Sequence, residues 1–436
     1  MKKSLLILLT SAIFASFTYA QFVVSGEIRP RGELRYGYKK LAAENQDPAG
    51  FVSQRTRLNF SFKNEKLQTY ASVQNVSVWG DQRTNAGSKI ASDTSVALFF
   101  EAWGELFLNT YSGIRLGRQS ISLEDQRLMS AGDWNQGGAF LDGVLFRYEN
   151  DSVVNIKVFG SYNNENENPV NTDFPNKKYK TFNFAQVKKD FGKTFSVTAQ
   201  GFLTGNQKNK DKDKIYLKNT FGGYITYKPV SLLSVNLSGF YQNGQDKSGN
   251  LVSAYFAGLN AKISKGPFEV IVGSDYLSGQ DINNTETNTA FDLLLGTRHS
   301  HYGFIDIFNE KEFGATGVAP TGLINPFIKT NTKFLKKYAI RVNYNMFRTQ
   351  RETIYESYEP EIVSASTLLA HEIDVVFNWK INEFTTLDLG YSVLKAEDVF
   401  KDLKAVVNAN DYQQWVWLQI LIKPKFFDSS NYVLKQ

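Results

Sequence analysis

The sequence predicts an all-β fold: a transmembrane, antiparallel, up-and-down β-barrel of about eighteen strands, with short turns on one rim and long loops on the other. Three observations carry that expectation. Polar and apolar residues alternate with period two along most of the chain. No stretch shows the 3.6-residue apolar period of an amphipathic helix. Short connections alternate strictly with long ones.

The N-terminus reads as an export leader. Lys2 and Lys3 form its positive region, Leu5 to Phe17 its apolar stretch, and Thr18-Tyr19-Ala20 a small-residue cleavage site before Gln21. Residues 1–20 are therefore expected to be removed as a signal peptide, leaving 21–436 as the barrel. A membrane anchor is the alternative, but the apolar stretch is short for a span, and no later segment approaches the ~18–20 apolar residues a membrane helix needs.

The first strand is "GEIRPRGELRY" (26–36). It sets Glu27, Arg29, Arg31, Glu33 and Arg35 on one face and Gly26, Ile28, Pro30, Gly32, Leu34 and Tyr36 on the other. Pro30 cannot donate to a ladder, so a bulge or local break is expected there. The second strand, "VSQRTRLNFSF" (52–62), opposes Arg55, Arg57, Asn59 and Ser61 to Thr56, Leu58, Phe60 and Phe62. Farther on, Val154, Ile156 and Val158 share a face. Ile340, Val342 and Tyr344 oppose Arg341 and Asn343, and Ile373, Val375 and Phe377 oppose Glu372 and Asp374. Tight links at 63–66, 109–113, 149–151, 190–192, 228–231, 264–266 and 381–383 alternate with long polar ones such as 80–93, 163–178, 205–214 and 242–250. A water-soluble sandwich has no reason to segregate its loops in this way.

Energetics fix which face is which. A basic side chain costs about 2–4 kcal/mol near a bilayer midplane and almost nothing at its interfaces, so turning the five charges of the first strand to lipid would cost on the order of 5–15 kcal/mol. The charged face is expected to enclose solvent. Aromatic residues, 14% of the chain, recur at strand ends, and Tyr36, Tyr38, Trp79, Trp379, Trp415 and Trp417 are expected in interfacial girdles. A barrel of about eighteen strands is too wide for side chains to fill and leaves an aqueous channel.

Composition excludes other classes. The chain has no cysteine, hence no disulfide framework, thiolate metal site or cysteine-linked lipid anchor. Its 49 basic residues nearly balance 43 acidic ones, which argues against a nucleic-acid partner. The three histidines, His299, His301 and His371, lie in no arrangement with a serine or carboxylate that suggests a hydrolase or a zinc site, so no enzyme, cofactor or metal is expected. The adjacent Glu124-Asp125 could hold Ca²⁺ in a loop, although such pairs are usually just solvated. The stretch Ser278 to Pro320 is too long for a hairpin. Its "HYGFIDIF" run would be costly to leave in water, so it is expected either to fold inward as a constriction or to form an external flap or partner contact.

Several stretches together resemble the alginate export family of outer-membrane porins: "RPRGELRYGY" (29–38), "SQRTRLNFSF" (53–62), "SVWGDQ" (77–82), "RLGRQSISLEDQRL" (115–128), "WNQGGAFLDGV" (134–144), "YLSGQD" (276–281), "LGTRHSHYGFIDIF" (295–308), "HEIDVVFNW" (371–379) and "WLQILIKPKFF" (417–427). The resemblance spans nearly the whole mature chain. It implies an eighteen-stranded barrel in the outer membrane of a Gram-negative bacterium, with a mixed-charge constriction that passes a polyuronate. Basic positions implied by it are Arg29, Arg31, Arg35, Arg55, Arg57, Arg115, Arg118 and Arg127. The interleaved acids are Glu33, Glu101, Glu105, Glu124, Asp125 and Asp142. Phe427 resembles the terminal aromatic read by the outer-membrane assembly machinery, yet nine residues follow it.

The expected function is passive passage of anionic solutes such as acidic poly- or oligosaccharides, with membrane lipid, the solute and the assembly machinery as partners. A general diffusion porin for small nutrients and a secreted, soluble carbohydrate-binding β-protein are the alternatives. Guanidiniums facing carboxylates focus a field that attracts anions, at about 1 kcal/mol for unit charges 4 Å apart in water. They also fit the bland alternative of neutralising one another across neighbouring strands, as Glu33 with Arg57.

Overall fold

The computed structural model describes residues 20–80, 97–167, 169–170, 179–207, 214–280, 286–309, 322–350, 355–356, 362–363, 367–404, 406 and 408–432. The expected leader, nearly all of the loop at 80–93, and parts of the loops at 163–178, 205–214 and 278–320 lie outside these residues.

Eighteen strands make the wall. They are β1 (Gln21–Tyr36), β2 (Ala49–Lys63), β3 (Leu67–Val78), β4 (Leu98–Phe107), β5 (Ser112–Gln119) and β6 (Leu141–Asn150), followed by β7 (Val154–Gly160), β8 (Thr181–Phe191), β9 (Phe195–Gln207), β10 (Ile215–Val230), β11 (Leu233–Gln245) and β12 (Leu251–Lys265). The last six are β13 (Phe268–Leu277), β14 (Leu323–Phe334), β15 (Tyr338–Arg348), β16 (Leu368–Lys380), β17 (Thr385–Ala396) and β18 (Tyr412–Ile422). Each pairs antiparallel with the next, and β18 returns to β1 through pairs such as Arg31 with Gln419 and Arg35 with Trp415, which closes the barrel. Closure removes every free sheet edge, the condition for strands to cross a bilayer. Connections from even to odd strands are tight and those from odd to even strands are long, as expected, except at 242–250, where β11 extends to Gln245 and leaves only a short turn, 246–250, before β12.

The face assignment follows the charge argument. On β1, Arg29 and Arg31 are each 4% exposed and Glu33 5%, whereas Ile28 and Leu34 on the opposite face are 42% and 51% exposed. The same partition separates buried Glu372 and Asp374 from exposed Ile373 and Val375 on β16. Apolar residues left open on the outer face, with ions enclosed, are the inverse of a water-soluble protein.

The break predicted at Pro30 lies in the closing seam. The β1–β2 ladder continues through Pro30 and Gln54, but on the β18 side pairing skips from Ile28–Ile422 to Arg31–Gln419 without a change of register. Beyond β18, Lys425–Asp428 forms a short strand that carries Phe427 and pairs with β1 at Val23–Ser25.

Two expectations are corrected. Trp415 and Trp417 point inward and are 0% and 2% exposed, and Tyr38 is buried as well, so these three are not girdle residues. One short helix, α1 (Asp398–Leu403), sits in the loop between β17 and β18 and buries Val399, Phe400 and Leu403. Both findings have one cause. The barrel encloses a hydrophobic core of its own, built from inward-facing Phe159, Phe184, Phe202 and Phe256 of the wall against Leu123, Leu128, Leu293 and Ile305 of the long loops. Inward aromatics belong to that core, and lipid is not their solvent.

Candidate functional site

The core exists because two long loops fold into the lumen. The first, residues 120–140 between β5 and β6, sweeps across the interior. Glu124 reaches Lys188 of β8 at 3.5 Å and accepts from Thr198 of β9 at 3.2 Å. Asp125 accepts from Tyr224 of β10 at 2.9 Å. Arg127 pairs with Asp275 of β13, and its guanidinium lies 4.9 Å from the ring of Phe256 on β12. Residues 133–136 then return to β1 and β2. The second loop, 278–322 between β13 and β14, meets the first through a short parallel bridge at Met129 and Leu295, where Ser130 N donates to Leu295 O and Leu295 N to Leu128 O, both at 3.1 Å. The described part of the 278–320 stretch thus takes the inward of the two courses its aromatic run allowed.

The arginines of β1 and β2 cradle the returning loop. Arg29 donates from Nε to Gln136 Oε1 at 3.1 Å and from its terminal nitrogens to the carbonyls of Asp133 and Asn135 at 2.7 and 2.8 Å. Arg31 donates to Glu33 and to the Trp134 carbonyl and lies 4.5 Å from the Trp134 ring. Arg55 pairs with Glu27 and with Asp133 at 2.9 Å. Arg57 donates to Gln74 at 2.6 Å, approaches Asp133 at 3.4 Å and stacks 3.8 Å from the centre of the Phe100 ring. Gly138, at φ 65°, passes so close that a Cβ there would stand 2.7 Å from Phe100, so only glycine lets the backbone through.

Burial pushes the Asp133 carboxyl up, but the guanidiniums of Arg55, Arg29 and Arg57 outweigh it and hold it below the ordinary carboxylate value. Its side chain remains 58% exposed, so one charged face of this cluster still meets the open lumen.

A stacked aromatic column joins the two inward loops. Trp134 lies flat on His299 at 4.1 Å, His299 on Phe304 at 4.4 Å, and Trp134 meets Trp415 and Trp417 edge-on at 5.7 and 5.0 Å. His299 Nδ1 is 2.8 Å from Asp306, which also accepts from Tyr38 at 2.7 Å. Ile305 N donates to Glu372 at 2.8 Å, fastening the column to the wall. The first loop of the chain joins here too, through Lys39 N to Ile305 O at 2.9 Å.

The remaining predicted positions divide into separate groups. Glu33 accepts from Arg31, Arg35 and Trp415 Nε1, and Arg35 stacks over Tyr38 at 4.1 Å. Glu105 receives both Arg115 and Arg147 on the inner face. Glu101 accepts from Trp103 and from Ser120 N, anchoring the start of the first inward loop. Glu124, Asp125 and Arg127 lie in that loop.

Arg118 and Asp142 are a correction. They pair at 2.9 Å on the outer face near the long-loop rim, in line with exposed Leu116 and Val144. Arg115 and Arg118 are three residues apart on one strand, an odd spacing that puts them on opposite faces. The pair Glu33 with Arg57 does not form; Glu27 takes the cross-strand role, with Arg55. Sequence reasoning missed Asp133, Trp134, Gln136, Arg147 and Asp275 as partners. Asp133 and Trp134 open the "DWNQGG" turn, whose glycines and tryptophan were the available signal. Among the described residues, no cluster of three or more His, Asp or Glu side chains could hold a metal ion.

Comparison with known proteins agrees with this geometry. Residues 42–411 match the family model described as alginate export. Among solved structures, the outer membrane protein OpdK of Pseudomonas aeruginosa superposes with a TM-score of 0.59 at 10% identity, covering 93% of this chain and 99% of that one. OpdK has also been crystallised with vanillate, and that structure gives 0.58 at 10% identity over 93% of this chain and 99% of that one. OccAB1 of Acinetobacter baumannii gives 0.59 at 12% identity, covering 94% of this chain and 97% of that one. These likenesses are of fold. No curated protein matches in sequence.

Proposed function

Because this chain belongs to the alginate export family and is an outer-membrane porin, we propose that it passes anionic solutes, acidic poly- or oligosaccharides among them, along the arginine cluster of β1 and β2. One observation carries the reading. Five inward guanidiniums, Arg29, Arg31, Arg35, Arg55 and Arg57, face three carboxylates, Glu27, Glu33 and Asp133, and several of the remaining donor bonds go to neutral loop carbonyls. A carboxylate adds a charge–charge attraction that a neutral carbonyl lacks and can take a guanidinium in a bidentate fork. An incoming polyanion therefore competes for Arg29 and Arg31 on better terms than the loop that covers them, and a neutral sugar does not. Passage follows displacement of residues 133–136 from the wall, and repeated weak exchange keeps the solute moving.

A general diffusion porin is the second reading. It is favoured by the near-complete burial of Arg29, Arg31 and Arg55, which keeps them from a solute while the loop stays seated. Planar-bilayer recordings separate the two. Under the anionic reading, the reversal potential in a salt gradient reports anion preference, and uronate oligomers block current at concentrations where neutral oligomers of equal length do not. Cation preference, or equal block by both series, refutes it.

A further inference from the structure

The outer wall carries a groove of about 460 Å³ across β7 to β11, lined on its membrane side by Val158, Asn183, Ala185, Gly201, Leu203 and Phe221 with Asn219 and Asn243 above. Its floor is small: a Cβ placed on Gly201 would meet nothing within 4 Å, so a side chain there would occupy the groove. Toward the long-loop rim the lining changes character. Asn183, Leu203, Asn219 and Asn243 are successive register partners, so three amides form a row across the lipid-facing surface. Asn183 and Asn243 each sit two residues from the rim end of their strands.

The amides are only partly satisfied. Asn183 donates to Thr181 Oγ1 at 2.8 Å and to the Leu203 carbonyl at 3.3 Å, and Asn219 Nδ2 donates to Asn243 Oδ1 at 3.0 Å. That pairing leaves one amide oxygen, on Asn219, and one NH₂ group, on Asn243, without a protein partner among the described residues. At the rim, where tail gives way to linkage and headgroup, this free acceptor and free donor offer a lipid two points of hydrogen bonding.

We propose that the groove binds one hydroxylated acyl chain of an outer-leaflet lipid. The tail lies over Ala185 and Gly201 between Val158, Leu203 and Phe221, its hydroxyl donates to Asn219, and its linkage carbonyl accepts from Asn243. The polarity of the groove, apolar toward the midplane and amide toward the rim, matches the order of tail and linkage in such a lipid. The free acceptor and free donor match a hydroxyl and a carbonyl, whereas an ordinary glycerophospholipid offers carbonyl acceptors alone in its acyl-linkage region, its donors lying farther out in the headgroup.

The test uses the full chain extracted from outer membranes in mild detergent, with parent, Gly201→Leu and Asn219→Leu compared, and folding of each checked by heat-modifiable gel migration. Native mass spectrometry counts retained lipid. Add-back titrations compare lipid A, whose chains are hydroxylated, with phosphatidylethanolamine of similar chain length. The expected result is retained lipid A on the parent, at least tenfold weaker binding in both variants, and no competition by the phospholipid. Equal retention by parent and variants, or equal binding of the two lipids, overturns the proposal. So does a disulfide-linked dimer from Leu203→Cys in membranes, readable because the chain has no cysteine of its own. Gly201→Leu lies outside the lumen and leaves conductance unchanged, so this test stands apart from that of solute passage.

Discussion

Replacing Arg127 with alanine should unseat the inward loops while leaving the barrel standing. Arg127 is the point at which the first loop, the second loop and the far wall meet. It pairs with Asp275 of β13, donates to Tyr302 of the second loop at 3.0 Å and to Asp125 at 3.1 Å, and faces the ring of Phe256. The side chains of Arg127 and Asp275 are 4% and 2% exposed, so the pair is shielded from solvent. Removing one member of such a pair costs about 3–5 kcal/mol, mostly because the other charge is left buried. Lys329 adds a compensating positive charge near Asp275, which places the effect toward the lower end of that range. At 1.36 kcal/mol per tenfold, 3 kcal/mol shifts the seated-to-unseated equilibrium roughly a hundredfold. Single-channel recording in planar bilayers reads this as longer dwell in high-conductance states, and limited proteolysis reads it as new cleavage within 120–140. Changing both residues, Arg127→Leu with Asp275→Leu, removes the buried charges together and should return most of the seating. Unchanged conductance and protease resistance in Arg127→Ala would refute the assignment of this contact as the anchor.

Two further outcomes follow from the same geometry. His301 donates from Nε2 to the Asp125 carbonyl at 3.0 Å, and burial, with Arg127 beside it, lowers its pKa to about 3. Its folded value lies below the unfolded 6.5, so its neutral form favours the seated loops above pH 6.5. That contribution is lost as pH falls from 6.5 toward 3. Channel conductance should rise over this window, and His301→Gln should flatten the rise; an identical profile in the variant refutes the role. Arg118→Ala should leave both conductance and ion preference unaltered in bilayer recordings, because the exposed Arg118–Asp142 pair lies outside the lumen and such pairs contribute about 0–1 kcal/mol.

Strand parity was legible because lipid and ions impose opposite demands on the two faces of every strand. A one-residue slip in β1 would turn Glu27, Arg29, Arg31, Glu33 and Arg35 to hydrocarbon, and the structure keeps all five inside. The same rule separates Arg115 from Arg118, whose odd spacing outranks their shared chemistry. Inward aromatics were not legible from alternation. On β18, "QWVWLQ" places Trp415 and Trp417 on the polar face with Gln413 and Gln419, and tryptophan suits either a girdle or an interior partner. The partner that decides it, Trp134 stacked on His299, lies nearly three hundred residues away in sequence and is brought there only by loop insertion. The 120–140 loop resisted reading for a related reason: its contacts run to strands on both sides of it, from β1 and β2 to β8, β9, β10, β12 and β13, and no local pattern encodes them.

The internal core also bears on how an anionic route could be gated. Wall arginines in an empty barrel would hold free charge at all times and pay for it with bound counter-ions. Here the loop carbonyls of Asp133, Trp134 and Asn135 occupy donors of Arg29 and Arg31, so those donors are closed to a solute while the loop is seated, although the net positive charge remains. Under the anionic reading, the bonds that seat the loop are the bonds a polyanion needs, and selection and opening become one competition. A carboxylate chain lowers the free energy of the unseated state by binding it, whereas a neutral chain binds neither state differently and shifts nothing. The competition is local to residues 133–136, with the Trp134 stack on His299 part of it, because the Arg127–Asp275 pair and the Ile305–Glu372 bond anchor the rest of the insertion on independent contacts. Gln136→Leu isolates that step: it removes the acceptor of Arg29 Nε and the donor to Ser53, and leaves both anchors in place. If selection and opening are coupled, this variant conducts more without solute and is less discriminating between acidic and neutral oligomers; a gain in conductance with discrimination intact would show that they are separate.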